Sequence, residues 1–192
     1  CIRDRGKKKP VYEDFGELLF THFGLSGPTI LSASAHMHPM EPGRYTVHID
    51  LKPALDEGQL DARVLRDLEK YKNRVFANSL DDLLPQKLIP VAVERSGIPS
   101  ETRSHSVTRE QRRALCGLLK DFTVAVKGFR PLAEAIVTSG GVSLREVDPH
   151  TMQSKLVEGL FFAGEVLDAD AYTGGYNLQI AFATGHLAGS FL

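Results

Sequence analysis

The residues best suited to bind a ligand lie near the C-terminal end, where the sequence reads GLFFAGEVLDADAYTGGYNLQIAFATGHLAG from Gly159 to Gly189. An apolar run ends at Gly164-Glu165, an acidic loop follows, and Thr173-Gly174-Gly175 precedes a helical pattern. A glycine at the end of a strand lets a ligand approach the backbone, and an acidic residue beyond it can bond a polyol hydroxyl. Free N–H groups at a helix N-terminus favour negative charge. The stretch predicts a site for an anion or a closely packed ligand, with a plain structural loop as the alternative.

The elements that must position this stretch are predicted from the periodicity of apolar residues. Alternating or continuous apolar runs indicate strands, whereas apolar residues at three-to-four spacing indicate helices. The predicted strands are 17–24, 45–51, 122–129, 135–138 and 157–163. The predicted helices are 28–37, 58–73, 80–84, 90–96, 108–120 and 176–192. This order predicts the α+β class, in which strands flank a helical middle part.

Two of the predicted helices carry additional signals. Thr108 and Gln111 have the spacing of a capping box, which marks the start of a helix. The last helix has small and apolar residues on one stripe, and we expect that stripe to pack closely on a sheet. Its members are Leu178, Ala181, Phe182, Gly185, Ala188 and Leu192.

Composition excludes several classes of protein. The chain has 192 residues and a formal net charge of -1, which is unlike the basic field of most nucleic-acid binders. It has no apolar run long enough for a membrane helix, and its basic start is not a signal peptide. Two cysteines make no disulfide framework and suit a reducing compartment, so we expect a cytoplasmic protein. We predict no metal site, because His36-Met37-His38 lies at a helix end where alternate residues do not share a face.

Three stretches resemble a bacterial family of NAD(P)/FAD-dependent oxidoreductases, the aminoacetone-oxidase-like or BaiN-like flavoproteins. They are GELLFTHFGLSGPTIL from Gly16, AIVTSGGVSLREVDPHTMQSKLVEGLFFAGE from Ala135, and the C-terminal stretch quoted above. Their order is the same in the family, and the resemblance covers nearly the whole chain. It is specific at both ends and diffuse between residues 40 and 130.

The resemblance implies a division into two parts. Residues 1–137 would be an inserted, β-barrel-like domain on the substrate side, with a helical part at about residues 53–120. Residues 138–192 would be a strand–loop–helix segment that completes a Rossmann-type FAD-binding domain. The family's G-x-G-x-x-G fingerprint is absent from this sequence. The resemblance therefore implies that the chain is part of a longer protein whose N-terminal dinucleotide-binding half is missing here.

The resemblance also implies the cofactor and the residues around it. FAD would be bound, NAD(P)H is a candidate electron donor, and a small molecule would be the substrate. The implied cofactor-binding residues are Thr138, Gly140, Gly141, Gly164, Glu165, Asp168, Thr173, Gly174, Gly175, Tyr176, Asn177 and Leu178. The N-terminus of the last helix would face the pyrimidine edge of the isoalloxazine ring. No catalytic acid or base is assigned. Tyr172 and Tyr176 are the nearest candidates, but each is expected to pack or to hydrogen-bond instead.

A second hypothesis of a different class stays open. Because the dinucleotide fingerprint is absent, the chain could instead be an autonomous α+β binding or interaction module without catalytic activity. In that case the glycine loop would hold another anion or no ligand at all.

Overall fold

The computed structural model describes residues 1–192, which divide into two compact units. The first unit joins Cys1–Tyr45 to Val126–Leu192, and the second is Thr46–Ala125. The strands are β1 (Ile2–Asp4), β2 (Leu19–Phe20), β3 (Leu25–Ser26), β4 (Tyr45–Ile49) and β5 (Phe122–Ala125). The α-helices are α1 (Pro28–Ser34), α2 (Glu57–Lys70), α3 (Ile89–Ser96), α4 (Arg109–Lys120) and α5 (Tyr176–Gly189). The predicted α+β class is confirmed. None of the helices combines the length and the apolar character that crossing a bilayer requires.

The second unit is a helical cluster built around α2, α3 and α4. Both long helices begin with a capping box, Asp56 with Gln59 on α2 and Thr108 with Gln111 on α4. Each box satisfies backbone N–H groups that the first helical turn leaves unpaired. The apolar faces of the three helices meet in one core, whose fully buried members are Leu60, Val64, Phe76, Leu80, Ala92, Leu115 and Leu119. The capping box predicted at Thr108 is thereby confirmed.

A short antiparallel pair of strands begins and ends the second unit. Thr46 of β4 pairs with Ala125 of β5, and Ile49 pairs with Phe122. Arg95 of α3 donates to the Thr123 carbonyl at 2.9 Å, and its guanidinium lies 4.2 Å from the centre of the Phe122 ring. These contacts attach the strand pair to the helices of the same unit.

The first unit contains little regular structure and a small core. Strands β2 and β3 form a two-stranded antiparallel sheet, and α1 follows directly. The buried Asp4 carboxylate accepts bonds from Arg44 Nε at 3.2 Å and Nη2 at 3.0 Å, which fixes β1 beside the segment before β4. A separate cluster holds the C-terminal part together, and its buried members are Val147, Met152, Leu167 and Ala188.

The structure does not contain the closed barrel that a β-barrel-like domain would have. The strands are two to five residues long and form small sheets without a closed barrel. Closure of a sheet requires enough strands, with enough tilt and stagger, to bring the two edges together. Strands this short and this few do not meet that requirement.

The strand predicted at 135–138 is wrong. The preceding residues Leu132–Glu134 form a 3-10 turn, and the following ones are irregular. Their apolar character suggested a buried strand, yet Ile136 is 68% exposed. A strand is stabilised by a neighbouring ladder of hydrogen bonds, and no ladder is formed here.

The strand predicted at 157–163 is also wrong. Gly159 adopts a φ of 74°, which turns the chain, and Leu160 N donates back to the Val157 carbonyl. Only a single antiparallel bridge, between Gln153 and Phe161, follows the turn. A short apolar run does not by itself distinguish a strand from a turn that packs on a small core.

Two helical predictions also need correction. Residues 80–84 form turns rather than a helix. The stripe predicted along α5 does not pack on a sheet, because Leu178 is 64% and Phe182 is 70% exposed, and only Ala188 is buried. Apolar residues lie around most of α5, so the sequence alone does not specify which face is covered.

Candidate functional site

The N-terminus of α5 presents unpaired backbone donors. Gly175 is the N-cap, with φ 90°, and no side chain caps the helix. The first helical N–H with a backbone acceptor is that of Gln179, which donates to the Gly175 carbonyl at 3.0 Å. The N–H groups of Tyr176, Asn177 and Leu178 therefore have no acceptor in the chain. Together with the helix dipole, they make this end of α5 favourable for negative charge.

The loop before α5 is closed by the side chain of Asn177. Its Oδ1 accepts from Ala171 N at 2.7 Å, and its Nδ2 donates to the Ala171 carbonyl at 2.8 Å. The loop between the two residues contains Tyr172, Thr173, Gly174 and Gly175. The asparagine predicted to face a cofactor thus uses its side chain to shape the loop, which leaves its backbone N–H for a ligand.

The predicted turn at Gly140-Gly141 contacts the predicted acidic loop. Val142 N donates to the Val166 carbonyl at 2.8 Å, and Asp168 N donates to the Val142 carbonyl at 2.9 Å. A Cβ placed on Gly141 would lie 2.5 Å from the Val166 carbonyl oxygen, so only glycine allows this approach. The structure therefore brings Gly141 and Asp168 together although they are 27 positions apart in the sequence.

Gly164 connects the same loop to α5. Its N–H donates to Thr184 Oγ1 at 3.0 Å, and a Cβ on Gly164 would lie 3.7 Å from the Ala181 Cβ. Thr184 in turn donates to the Ile180 carbonyl within α5. Glu165, which follows Gly164, is exposed and forms no ion pair.

The other predicted residues are less constrained. Thr138 and Gly140 are exposed and form no hydrogen bond to the rest of the predicted set. Thr173 and Gly174 lie on the surface of the loop that Asn177 closes. The structure thus joins the 141–142 turn, the 164–168 loop and α5 in one framework, without bringing every predicted residue into it.

A cleft of about 570 Å³ lies beside the loop before α5. Its lining includes Tyr172 and Thr173 from that loop, and it is completed by Tyr12, Glu13, Asp14, Phe15, Gly16, Glu17, Pro28, Thr29 and Ser32. Three of these residues carry carboxylates, and none is a lysine or an arginine. The cleft therefore disfavours a polyanion and accepts a neutral or cationic molecule more readily.

Three aromatic side chains meet at one wall of this cleft. The hydroxyl of Tyr172 lies 2.8 Å from His36 Nε2, and the Tyr12 ring stacks on the His36 imidazole at 4.8 Å between ring centres. Tyr12 donates its hydroxyl to Asp14 Oδ2 at 2.7 Å. Burial, followed by that hydrogen bond, raises the pKa of Tyr12, and the same bond lowers the pKa of Asp14. Tyr172 forms part of the cleft lining, whereas His36 is exposed to solvent and is not one of the lining residues.

Sequence reasoning did not assemble this cluster. Its members lie far apart in the chain, since His36 and Tyr172 are 136 positions apart. From the sequence, His36 is a candidate only for metal binding, and Tyr172 is one of the two nearest candidates for an acid or base, with packing or hydrogen bonding expected instead. The sequence offers one indication that Tyr172 could belong to a site, namely its position directly before Thr173-Gly174-Gly175.

Comparison with known proteins identifies the family. Residues 2–137 match the family described as the HI0933-like protein barrel and H2TH domain. The chain belongs to the HI0933-like family. The recognised resemblance to BaiN-like proteins is thereby confirmed. The match ends at residue 137, and the predicted division into parts at 137–138 stays a prediction.

Curated relatives are similar over most of this chain. A Clostridium scindens protein named 3-dehydro-bile acid delta(4,6)-reductase is 32% identical over 184 residues, which are 95% of this chain and 45% of that protein. An Escherichia coli protein named ribosomal RNA dihydrouridine synthase is 35% identical over 167 residues, 87% of this chain and 40% of that protein. The Haemophilus influenzae protein of the same name is 31% identical over 172 residues, 90% of this chain and 41% of that protein. The chain thus spans less than half the length of each of these relatives.

Proposed function

We propose that this chain is part of a flavin-dependent reductase that adds hydrogen across a carbon–carbon double bond conjugated to a carbonyl group. The names of the relatives support this reaction class, because a delta(4,6)-reductase and a dihydrouridine synthase both saturate a C=C bond. The single structural observation that carries the proposal is the set of unpaired N–H groups at Tyr176, Asn177 and Leu178. A reduced flavin carries negative charge, which such donors stabilise.

The residues present fit an isoalloxazine ring. A Cβ on Gly175 would meet no atom within 4 Å, so the backbone of this glycine is open to close approach by a flat ring. The backbone of Gly175, Tyr176 and Asn177 would hold the pyrimidine edge of the ring. Gly141 and Gly164 would bring the neighbouring turns close to the cofactor, and Asp168 would bond the ribityl chain or the pyrophosphate. When bound, the flavin supplies the hydride equivalent for the reduction.

We propose that the remaining cofactor contacts belong to an N-terminal dinucleotide-binding half of the same protein. The length of the relatives is consistent with this, since the chain spans only 45% of the first. In the complete protein, residues 138–192 would finish a Rossmann-type domain, and NAD(P)H would be the electron donor.

We propose a small neutral molecule as the substrate, rather than a nucleic acid. Two relatives are named for a reaction on ribosomal RNA. In this chain, however, the cleft beside the loop before α5 is lined by three carboxylates, Glu13, Asp14 and Glu17. No lysine or arginine lines it. Carboxylates repel the phosphates of a polynucleotide, whereas phosphate contacts supply most nonspecific affinity for nucleic acid.

The absorption spectrum of the purified full-length protein tests the cofactor proposal. We expect the two bands of oxidised flavin, which bleach on addition of NADH or NADPH and return when a conjugated enone is added. A preparation that contains no flavin and takes up none on incubation with FAD would instead favour the autonomous binding module.

A further inference from the structure

We propose that Tyr172 is the proton donor of the reaction and that His36 is the positioning residue that restores its proton. This inference rests on the proposed function. It concerns the second half of the reduction, in which the carbon next to the carbonyl group must gain a proton.

The chemistry requires a donor of this kind. After the β-carbon of the enone has gained a hydride equivalent, the electron pair of the double bond resides on the α-carbon and the carbonyl oxygen as an enolate. A new C–H bond then forms at the α-carbon while the O–H bond of the donor breaks. General acid catalysis of such a transfer contributes about a hundredfold or more to the rate.

Tyr172 is the side chain best placed to be this donor. It lines the cleft, it is 51% exposed, and it lies directly before the loop whose backbone would hold the ring. Tyr12 and Asp14 of the same lining are less suitable. Tyr12 already donates its proton to Asp14, and Asp14 is held in its ionised form by that bond.

His36 completes the proton path. With a proton on Nε2, the imidazole donates to the Tyr172 oxygen at 2.8 Å, so that the phenol O–H remains free to point toward a substrate. When Tyr172 has given up its proton, the same hydrogen bond stabilises the phenolate and passes the Nε2 proton to its oxygen, while Nδ1 takes up a proton from solvent, so that the imidazole stays neutral. His36 is exposed to solvent, from which the proton is recovered. Stacking on Tyr12 at an interplanar angle of 21° fixes the plane of the imidazole.

The test compares two probe substrates with the full-length protein, its flavin reduced by dithionite without oxygen. The enone probes are 2-cyclohexen-1-one and a 3-oxo-Δ4 steroid, whose reduction needs a proton at carbon. The nitroalkene probe is 1-nitrocyclohexene, whose hydride adduct is a stable nitronate and needs no enzymatic proton. The Tyr172→Phe variant is measured beside Tyr71→Phe, a matched control whose hydroxyl bonds Asp82 in the helical unit.

We expect Tyr172→Phe to retain the flavin spectrum and to reduce the nitroalkene at a rate close to wild type. Its enone reduction should fall by about a hundredfold or more. Tyr71→Phe should reduce both kinds of probe normally. A second readout needs no cofactor: the imidazole nitrogen resonances of His36, assigned with His36→Gln, should shift in Tyr172→Phe and not in Tyr71→Phe.

The possible failures are distinguishable. Normal enone reduction by Tyr172→Phe, or unchanged His36 resonances, would overturn the assignment of Tyr172 and leave the proposed function intact. Loss of both probe reactions would assign Tyr172 to binding instead of proton donation. A wild-type protein that reduces no enone would overturn the proposed function, and the proton donor with it.

Discussion

At the scale of single residues, Gly175 combines a left-handed backbone with open space around its missing Cβ. Its φ of 90° is rarely adopted by other residues, and no atom lies within 4 Å of a Cβ built there. The three N–H groups that follow it have no acceptor in the chain. A side chain at this position would occupy the space that the proposed flavin ring needs.

The first prediction concerns Gly175→Val in the full-length protein. We expect loss of FAD retention, measured as the ratio of flavin to protein absorbance after gel filtration, because the added side chain would contact the ring edge. Gly97→Val is the matched control, since Gly97 also has a positive φ, 70°, and open space, but lies at the end of α3. Full FAD occupancy in Gly175→Val would show that this loop does not contact the flavin.

Cys116 provides a prediction about reactivity. Its thiol is 7% exposed, and burial raises its pKa to about 11. At about pH 8 very little thiolate is present, and the thiolate is the reactive form. We expect iodoacetamide to modify Cys116 only after denaturant is added, as read by mass spectrometry of the peptides. Rapid alkylation of the native protein would mean that α4 opens readily.

At the scale of elements, an ion pair joins α2 and α4. Arg112 donates from Nε to Asp61 Oδ1 at 2.7 Å and from Nη2 to Oδ2 at 3.0 Å. The bidentate geometry orients the two helices above their shared apolar core. Arg112 is largely buried, and its hydrogen bond is the main cause of the lowered pKa of Asp61.

This pair predicts a pH-dependent stability difference. A carboxylate with a lowered pKa in the folded state stabilises the fold above its unfolded pKa of about 3.9, and the contribution disappears as pH falls through the lower folded value. We expect Asp61→Asn to lower the free energy of unfolding by about 1 kcal/mol at neutral pH. The difference from wild type should shrink as the pH is lowered below 4, roughly the unfolded pKa of aspartate.

Glu69→Gln on α2 is the control for that measurement. Glu69 and Lys72 are both exposed and 3.5 Å apart, so their pair contributes little. Urea unfolding curves of the three proteins at several pH values provide the comparison. A difference between Asp61→Asn and wild type that does not change with pH would show that the ion pair is not its cause.

The helices could be predicted from the sequence more accurately than the strands. The start of α4 follows from its capping box, and α2 follows from amphipathic spacing, although it ends three residues before the predicted Asn73. The segments at 135–138 and 157–163 are apolar, yet whether an apolar segment becomes a strand depends on a distant partner. The site shows the same limit. The loop before α5 was predictable from its glycines, whereas the pairing of His36 with Tyr172 depends on long-range folding.

At the scale of the whole molecule, exposed apolar side chains are unevenly distributed. Among the exposed large hydrophobic residues, only Leu65 and Val91 belong to the second unit. The first unit carries all the others, and Phe15, Phe182 and Leu192 are each at least 70% exposed. Where exposed apolar side chains adjoin one another, they form the kind of surface that contacts another body. We propose that the N-terminal half of the complete protein covers the exposed apolar residues of the first unit.

The last prediction follows from this distribution. The 192-residue chain on its own should bind a hydrophobic dye such as ANS and show strong fluorescence. The full-length protein should give a weaker signal per molecule, because the proposed half buries part of the surface. Equal dye binding by the two proteins would contradict this covering, while a chain with no dye binding would show that its apolar residues are sheltered in another way.

The two hydrogen bonds between Asn177 and Ala171 have a mechanical consequence. They close residues 171–177 into a loop, which carries Tyr172 near its start and the first backbone donors of α5 at its end. A loop whose first and last residues are hydrogen-bonded to each other can move as one body, but its two ends cannot separate while those bonds persist. One amide side chain would therefore limit how far the backbone of the proposed proton donor can move from a cofactor held by those donors.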